Sequence, residues 1–321
     1  YQFGFLRTFS IFGEKMRKDT TSKQSGAKAK YRVKNGAQYN AGLIARGDVT
    51  MWIDPSLFAA PPELDERAHG RPCVYPDALV QMLLSFKQVF HLPLRALQGF
   101  ALSLRKLAFT GLPVPNYTTL SRRAQILKVA LPALHTGEPL HLVVDSTGLK
   151  VYGEGERKVR KHGWSKRRTW RKVHLAMDAN TGQICAALMT HQDEGDGEVL
   201  PDLLDPIPID VPIDIIGGDG AYDTKPCHAQ IAARAATSSI PPREGAIPWP
   251  DGTPGAAWRN AAIDAIAKRS RREWKQESGY HRRSLAETLM YRLKILTGPC
   301  PWARKIGSQA SEVSIRAGVL N

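Results

Sequence analysis

The sequence predicts an α/β fold, in which a mixed five-stranded sheet flanked by helices follows an all-helical N-terminal domain. Three observations predict it. Apolar residues recur at helical spacing in residues 31–137. Short apolar runs bounded by turn residues begin after residue 137. From there the runs alternate with helical stretches in the order β-β-β-α-β-α-β-α, which is typical of a sheet with helices on its faces.

The helical region contains three predicted helices. Pro76 suits a first helical position, and apolar residues then recur at helical spacing over 79–90. A second helix starts at Pro93. After a Gly- and Pro-rich break, Asn116 or Thr118 caps the third. The predicted domains are therefore a helical domain at 31–137 and an α/β domain at 138–321.

The third helix is basic and rich in hydroxyl groups, and it carries Arg122 and Arg123. Three short helices ending in such a helix suit a helix-turn-helix-like DNA-binding module. A plain helical packing domain is the alternative. Residues 1–30 end in a stretch rich in Lys, Ser, Thr and Gly, which predicts a disordered basic tail.

The α/β region supplies five short strands and the connections between them. Residues 241–256 are rich in Pro and Gly and indicate a loop. Two helical stretches lie near 199–204 and 226–236. The predicted strands cover residues 141–145, 169–178, 184–189, 213–216 and 238–240.

The composition indicates which class of partner the protein binds and which cellular compartment it occupies. Among 321 residues, 45 are Lys or Arg and 30 are Asp or Glu, so the formal net charge is +15 and a polyanionic partner is expected. A membrane surface is the rival, but the sequence has neither an amphipathic basic helix nor an apolar run of about 18 residues. The four cysteines form no CxxC pair, which predicts reduced thiols in a cytoplasmic protein.

Two acids mark the candidate site. Asp145 ends the first predicted strand, and Asp219 follows the fourth within Gly-Gly-Asp-Gly. If these strands are neighbours, both carboxylates face one point and repel each other. Divalent cations relieve that repulsion, and Mg²⁺ prefers hard oxygen ligands. The alternative is that each Asp only begins a turn.

The third candidate element is a predicted helix over 280–294. At about 100° per residue, its polar positions Tyr280, Arg283, Glu287 and Lys294 share a stripe roughly 60° wide. On the opposite side, a leucine stripe is expected to dock on the core. It consists of Leu285, Leu289, Leu293 and Leu296. An ordinary solvated face with an Arg–Glu pair is the alternative reading.

The spacing Tyr-x2-Arg-x3-Glu-x6-Lys resembles the C-terminal signature of bacterial insertion-sequence transposases of the DDE type. The surrounding residues 144–153, 167–174 and 218–223 resemble insertion sequence family five. The stretches 41–48 and 52–54 are similar to the start of that family's N-terminal region. The resemblance extends from about residue 31 to the end of the chain.

The resemblance implies an RNase H-like catalytic core in which Asp145, Asp219 and Glu287 are the catalytic residues and the metal ligands. Two Mg²⁺ ions are implied as cofactors, and Mn²⁺ can substitute. The implied reaction is DNA cleavage at the transposon ends, followed by attack of the freed 3′-OH on target DNA. The implied partner is double-stranded DNA, comprising terminal inverted repeats and target. The reaction itself requires a homodimer or larger complex to bring two ends together.

Charge and position predict which residues contact DNA. The stripe residues Tyr280, Arg283 and Lys294 are predicted to hold phosphates near the cut. Further contacts are predicted from Arg122 and Arg123 of the third helix and from a basic stretch over 157–174. In that stretch the assigned residues are Arg167, Arg168, Arg171 and Lys172.

The same basic stretch leaves several roles open. Trp164 and Trp170 suit either base stacking or the core. His162 and His174 suit packing or phosphate contacts better than metal ligation. The acidic run over 193–198 reads as a solvated loop, with a backup metal ligand as the alternative.

Three functions of different class follow from these residues. The first is an active transposase in the bacterial cytoplasm, associated with the nucleoid. The second is a catalytically inactive DNA-binding relic, whose expected feature is a lost acid. The third is an RNase H-like nuclease that cuts without strand transfer.

Overall fold

The structure is a computed structural model that describes residues 75–129, 131, 138–151 and 170–321, together with the single positions 37, 41 and 44. The chain divides into two compact units, Tyr1–Met51 and Trp52–Asn321, and all elements named below belong to the second. The predicted tail at 1–30 and the residues Arg167, Arg168, His162 and Trp164 lie outside the described residues.

The N-terminal helices of the second unit are those that the sequence predicts. Helices α1 (Asp77–Val89) and α2 (Leu94–Leu107) each begin directly after a proline, and Asn116 caps α3 (Tyr117–Arg123). The Asn116 side chain accepts a hydrogen bond of 2.9 Å from the Thr118 backbone N–H. The predicted division of the chain at residue 137 stays a prediction.

Five strands form one mixed sheet in the order β3-β2-β1-β4-β5. The pairs β1–β2 and β2–β3 are antiparallel, whereas β1–β4 and β4–β5 are parallel. The strands are β1 (Leu140–Lys150), β2 (Trp170–Asp178), β3 (Ile184–His191), β4 (Ile213–Gly217) and β5 (Thr237–Ser239). This sheet confirms the predicted α/β class, and its topology is consistent with an RNase H-like domain.

Helices cover both faces of the sheet. Alternate residues of each strand point to opposite sides, so each strand contributes to two cores. Leu142 and Val144 of β1 share one core with α4 (Asp196–Leu204) and α5 (Lys225–Ala233). Val143 and Leu149 share the other core with α8 (Ser284–Thr297) and α9 (Ile306–Leu320). Between β5 and α8 lie α6 (Ala256–Lys268) and α7 (Arg271–Glu277), which the sequence analysis did not predict.

Two predicted boundaries are wrong. Strand β1 does not end at Asp145, because its antiparallel pairing with β2 continues as far as Lys150 opposite Trp170. The helix that carries Glu287 begins at Ser284 rather than at Tyr280. Residues Tyr280–Arg283 instead form a 3₁₀ turn, which follows Gly279 at a left-handed φ of 70°.

The predicted leucine stripe of α8 docks only in part. Leu289 and Leu293 are buried against the sheet, together with Ala286 and Met290. The outer members of the stripe, Leu285 and Leu296, are 40% and 45% exposed. The buried face is therefore narrower than the four leucines suggest, and small or flexible residues complete it.

No helix in the described part of the chain combines the length and the apolar character that crossing a membrane requires. Cys185, Cys227 and Cys300 are buried thiols without a disulfide.

Gly218 links β4 to the candidate site and has no room for a side chain. An added Cβ would lie 2.8 Å from the Tyr222 ring and 3.1 Å from a methyl group of Val144. We expect Gly218→Ala to lower the free energy of unfolding by about 1–3 kcal/mol, the usual cost of overpacking. Urea denaturation measures this. Gly99, whose added Cβ would meet nothing within 4 Å, supplies the control Gly99→Ala. Equal effects of the two substitutions would contradict the packing explanation.

Candidate active site

Asp145 lies on the face of β1 that α8 covers. It shares that face with Val143 and Thr147, since side chains alternate along a strand. The parallel pairing of β1 with β4 stops at Val143 opposite Gly217, whereas pairing with β2 continues. Asp145 therefore lies just beyond the part of β1 that pairs with β4. Its side chain is 15% exposed.

Asp219 follows β4 by two residues. Because Val143 is paired with Gly217 in parallel, the same step along both strands brings Asp219 to the level of Asp145. The Asp219 carboxylate accepts a 2.8 Å hydrogen bond from the Ala221 backbone N–H. This bond holds the side chain at the start of a 3₁₀ turn, Gly220–Tyr222.

Arg283 connects the other two predicted acids. One guanidinium nitrogen donates to Asp145 Oδ2 at 3.2 Å, and another donates to Glu287 Oε1 at 2.6 Å. Glu287 lies one helical turn after Arg283, and its side chain is 58% exposed. The planar fork of an arginine suits two oxygen partners at once. The structure thus brings Asp145 and Glu287 together on a single cation.

The pKa of Asp145 indicates that all three acids share one electrostatic environment. Burial raises this pKa, and the negative charges of Asp219 and Glu287 raise it further. The Ser146 backbone N–H, which donates at 2.8 Å, and the Arg283 guanidinium act in the opposite direction. The anionic form of Asp145 is therefore disfavoured, and added positive charge at the site would stabilise it.

Lys294 reaches across from α8 to β1. Its ammonium group donates a 2.6 Å hydrogen bond to the Thr147 hydroxyl, two residues beyond Asp145. Partial burial lowers the pKa of Lys294. Because its oxygen partner is neutral, the ammonium remains available to an anion beside Asp145.

Tyr280 lies at the start of the 3₁₀ turn and packs against α7. Its ring is 6.3 Å from the Trp274 ring, with the Lys275 ammonium 4.7 Å and the Arg283 guanidinium 5.9 Å from its centroid. The four side chains of the predicted stripe are therefore arranged differently from the prediction. Arg283, Glu287 and Lys294 gather near β1, whereas Tyr280 approaches through a turn rather than along the same helix.

Arg282, which the sequence analysis missed, fixes the 3₁₀ turn to the sheet. It donates to the Ala179 carbonyl at 2.9 Å, to Asn180 Oδ1 at 2.8 Å and to His141 Nδ1 at 3.1 Å. These partners belong to β1 and to the turn between β2 and β3. The contact of Arg282 with His141 joins a buried histidine at the start of a strand to an arginine far along the chain. No local sequence pattern indicates such a contact.

The remaining predicted DNA contacts are placed less favourably. Arg171 is only 7% exposed and donates to Gln309 and His191, both at 3.2 Å, so its guanidinium faces the protein interior. Lys172 is paired with Asp196 at 2.8 Å. In α3, Arg123 is paired with Asp77, whereas Arg122 is exposed.

Trp170 packs beside Gly148 of β1, where an added Cβ would lie 3.3 Å from the indole ring. Asp196, a member of the predicted acidic loop, instead opens helix α4. Tyr222 is buried, and its hydroxyl meets no hydrogen-bond partner among the described residues. Burial raises the pKa of Tyr222, and the charges of Asp196, Asp145 and Asp219 add to the effect. The Tyr222 phenol therefore stays neutral and forms an uncharged part of the wall beside the acids.

His174 is fully buried, which favours the packing role over phosphate contact. Its Nε2 lies 2.9 Å from the Thr190 hydroxyl, which itself donates to the His191 carbonyl. Nε2 therefore carries the proton. Nδ1 faces Asp196 at 3.6 Å and makes no hydrogen bond within the part of the chain that the structure describes. Burial lowers the pKa of His174 to about 4, against the opposing attraction of Asp196.

The lowered pKa of His174 predicts a loss of stability in acid. The neutral form is favoured in the fold, so its contribution is complete above pH 6.5 and is lost as the pH falls toward 4. A shift of this size corresponds to about 3 kcal/mol. Urea denaturation between pH 7 and pH 4 should show a shallower decline for His174→Gln than for the wild type. Identical declines would contradict the assignment.

The donor set suits a divalent cation in its chemistry, because three carboxylates supply the hard oxygen atoms that Mg²⁺ and Mn²⁺ prefer. Within the described residues, however, no three His, Cys, Asp or Glu side chains are grouped closely enough to hold one ion. Two of the predicted acids instead contact the Arg283 guanidinium. Arg283 thus supplies positive charge that a bound metal would also supply.

Comparison with protein families agrees with this geometry. A family model described as a transposase DDE domain matches residues 136–305, more than half of the chain, and it covers the sheet and all three acids. A second model with the same description matches residues 44–154. This establishes the chain as a member of the DDE transposase family.

Proposed function

We propose that this transposase cleaves DNA at the ends of its own element and transfers the freed 3′-OH into target DNA. The observation that supports it best is geometric: Asp145 and Glu287 contact one guanidinium, and Asp219 follows the strand paired with that of Asp145. The spacing of Tyr280, Arg283, Glu287 and Lys294 favours a bacterial insertion sequence similar to family five.

Asp145, Asp219 and Glu287 would hold the divalent ions, with Mg²⁺ as the expected cofactor and Mn²⁺ as a substitute. Such ions, when bound, neutralise charge on the phosphate and lower the pKa of the attacking hydroxyl. The rigid backbone at Asp145, within β1, and at Asp219, beside Gly218, would keep these two carboxylates in place. Glu287 is the most exposed of the three and would adjust its position.

Arg283, Lys294 and Tyr280 would position the DNA phosphates. We propose that Arg283 exchanges its carboxylate partners for a phosphate when DNA binds, since its planar fork suits both anions. Lys294 would then approach the same backbone from its position beside Thr147. Anchoring of the turn by Arg282 would limit how far Arg283 can move.

Double-stranded DNA, as inverted repeats and target, is the proposed partner, in keeping with the net charge of +15. We propose residues 31–137 as the DNA-binding domain, with exposed Arg122 as one contact, and residues 138–321 as the catalytic domain. Lys172, Arg167 and Arg168 remain candidates for further contacts. Joining two ends would require a dimer or larger assembly, acting at the bacterial nucleoid.

A plasmid that retains the DNA flanking the gene tests the proposal. Purified protein with Mg²⁺ or Mn²⁺ should excise the element and join its 3′ ends to a second plasmid, which sequencing of the junctions detects. Cleavage without joined junctions would indicate the nuclease instead. DNA binding without cleavage in either metal would indicate the inactive relic.

A further inference from the structure

A cavity of about 700 Å³ lies away from the acids, between the N-terminal helices and the segment that leads into α9. Leu84 of α1, Leu94 of α2 and Ile315 of α9 contribute apolar wall. Its volume lies in the range of sites that enclose a small organic group. The cavity is therefore large enough for a nucleobase with its sugar, and its interior is suitably apolar.

The rim of the cavity is strongly cationic. Lys87, Arg95, Arg304 and Lys305 all line it, and none of them is ion-paired with an acid in the part of the chain that the structure describes. The acid that lines it is Glu312, which is 4% exposed. A cavity with four cations and one buried acid is complementary to an anion.

Glu312 is already neutralised by its own neighbours. It is paired with the buried Arg316 at 2.5 Å, and its carboxylate accepts backbone N–H groups of Trp302 and Ala303. Much of its charge is therefore satisfied before any rim cation is considered. Burial lowers the pKa of Lys87, which shows that the attraction of Glu312 does not compensate for the loss of water.

Aromatic rings hold two of these cations at the mouth. The Lys87 ammonium lies 4.9 Å from the Trp302 ring, and the Arg95 guanidinium lies 5.0 Å from the Tyr117 ring. The His91 ring stacks on Trp302 at 5.6 Å and fixes its orientation, yet Trp302 remains 46% exposed. Positive charge is thus placed beside flat apolar surface, an arrangement that suits phosphate and base together.

We propose that this cavity binds an unpaired stretch of DNA strand, with a base in the apolar interior and phosphates on Arg95, Arg304 and Lys305. The inference rests on the proposed function, which makes DNA the partner. A duplex keeps its bases stacked, so it would leave the apolar interior empty. The cavity therefore adds a strand-binding site that the catalytic acids do not supply.

The test compares single-stranded and duplex DNA. Full-length protein is titrated into a fluorescein-labelled 20-nucleotide strand and into the blunt duplex of the same sequence, and anisotropy is followed at several salt concentrations. The variant carries Arg95→Gln, Arg304→Gln and Lys305→Gln. The matched control carries Lys225→Gln, Lys268→Gln and Arg272→Gln, which remove three exposed cations from helices that do not line the cavity.

We expect the cavity variant to bind the single strand at least about 10-fold more weakly than the control, with a salt slope lower by about 2, as three lost phosphate contacts predict. Its affinity for the blunt duplex should match that of the control, because a duplex cannot place a base in the cavity and so does not engage its rim. Trp302→Leu should weaken binding of the single strand without changing the salt slope, because it removes surface but no charge.

Equal affinities of variant and control for the single strand would overturn the inference, and so would an equal loss for strand and duplex. Failure of the proposed function looks different. In that case the wild type binds duplex DNA no more tightly than an unrelated basic protein and joins no ends. A wild type that joins DNA ends while the cavity variant keeps full affinity for the strand would overturn this inference alone.

Discussion

Replacing Glu287 with glutamine is expected to lower the rate of DNA-end cleavage by about 10³-fold, the scale seen when an enzyme loses one electrostatic group of its reaction centre. Glutamine keeps the size of the side chain and an oxygen that can accept from Arg283. It removes the negative charge that a divalent ion would require. Single-turnover cleavage of a plasmid with native flanking DNA, in Mg²⁺, measures the change.

Glu277→Gln is the matched control for this prediction. Glu277 ends α7, is 52% exposed and pairs with Arg269 rather than with the predicted acids. Its replacement should leave the cleavage rate within about 2-fold of the wild type, as surface ion pairs contribute little. Cleavage by Glu287→Gln at the wild-type rate would remove Glu287 from the mechanism.

Asp223→Ala is expected to cost about 3–5 kcal/mol of folding stability, because it leaves a buried arginine without its partner. Asp223 accepts from Arg259 Nε at 2.7 Å and from the Arg243 backbone N–H at 2.9 Å, and it lies 3.3 Å from His228 Nε2. Burial alone would raise the pKa of Asp223, but these hydrogen bonds lower it well below its usual value.

The loss should be large because Arg259 is shared by several elements. Its guanidinium lies 4.0 Å from the Trp249 ring and donates to the Ile247 carbonyl at 2.8 Å. The pair thus ties α6 and the 241–250 segment to the turn that follows Asp219. Without Asp223, that segment would lose its anchor, and the turn that presents Asp219 would loosen.

Guanidinium denaturation of Asp223→Ala measures this cost. Breaking the exposed pair through Glu277→Ala supplies the comparison, since both of its side chains are about half exposed and the expected change is below about 1 kcal/mol. A change of similar size in the two variants would show that the buried pair does not organise this part of the fold.

Much of the fold was readable from short-range patterns. Apolar runs bounded by Gly, Pro and Asn located the strands, and the run over 141–145 ended in Asp145. Proline and asparagine marked the starts of α1, α2 and α3. These features depend on residues near each other in the chain, so a sequence displays them directly.

The parts that the sequence did not reveal depend on distant partners. The length of β1 is set by pairing with β2 as far as Trp170, not by its own residues. The contact of Arg283 with Asp145 joins positions 138 residues apart. Helices α6 and α7 follow a segment rich in Pro and Gly, and buried contacts of Arg259 and Trp274 hold them in the fold.

The most direct test of the central claim is a crystal structure of the protein with Mn²⁺ and DNA, in which anomalous scattering locates the metal. We predict Mn²⁺ bound by Asp145, Asp219 and Glu287, with the Arg283 guanidinium on a DNA phosphate. Mn²⁺ bound elsewhere, with Arg283 still joining Asp145 to Glu287, would contradict it.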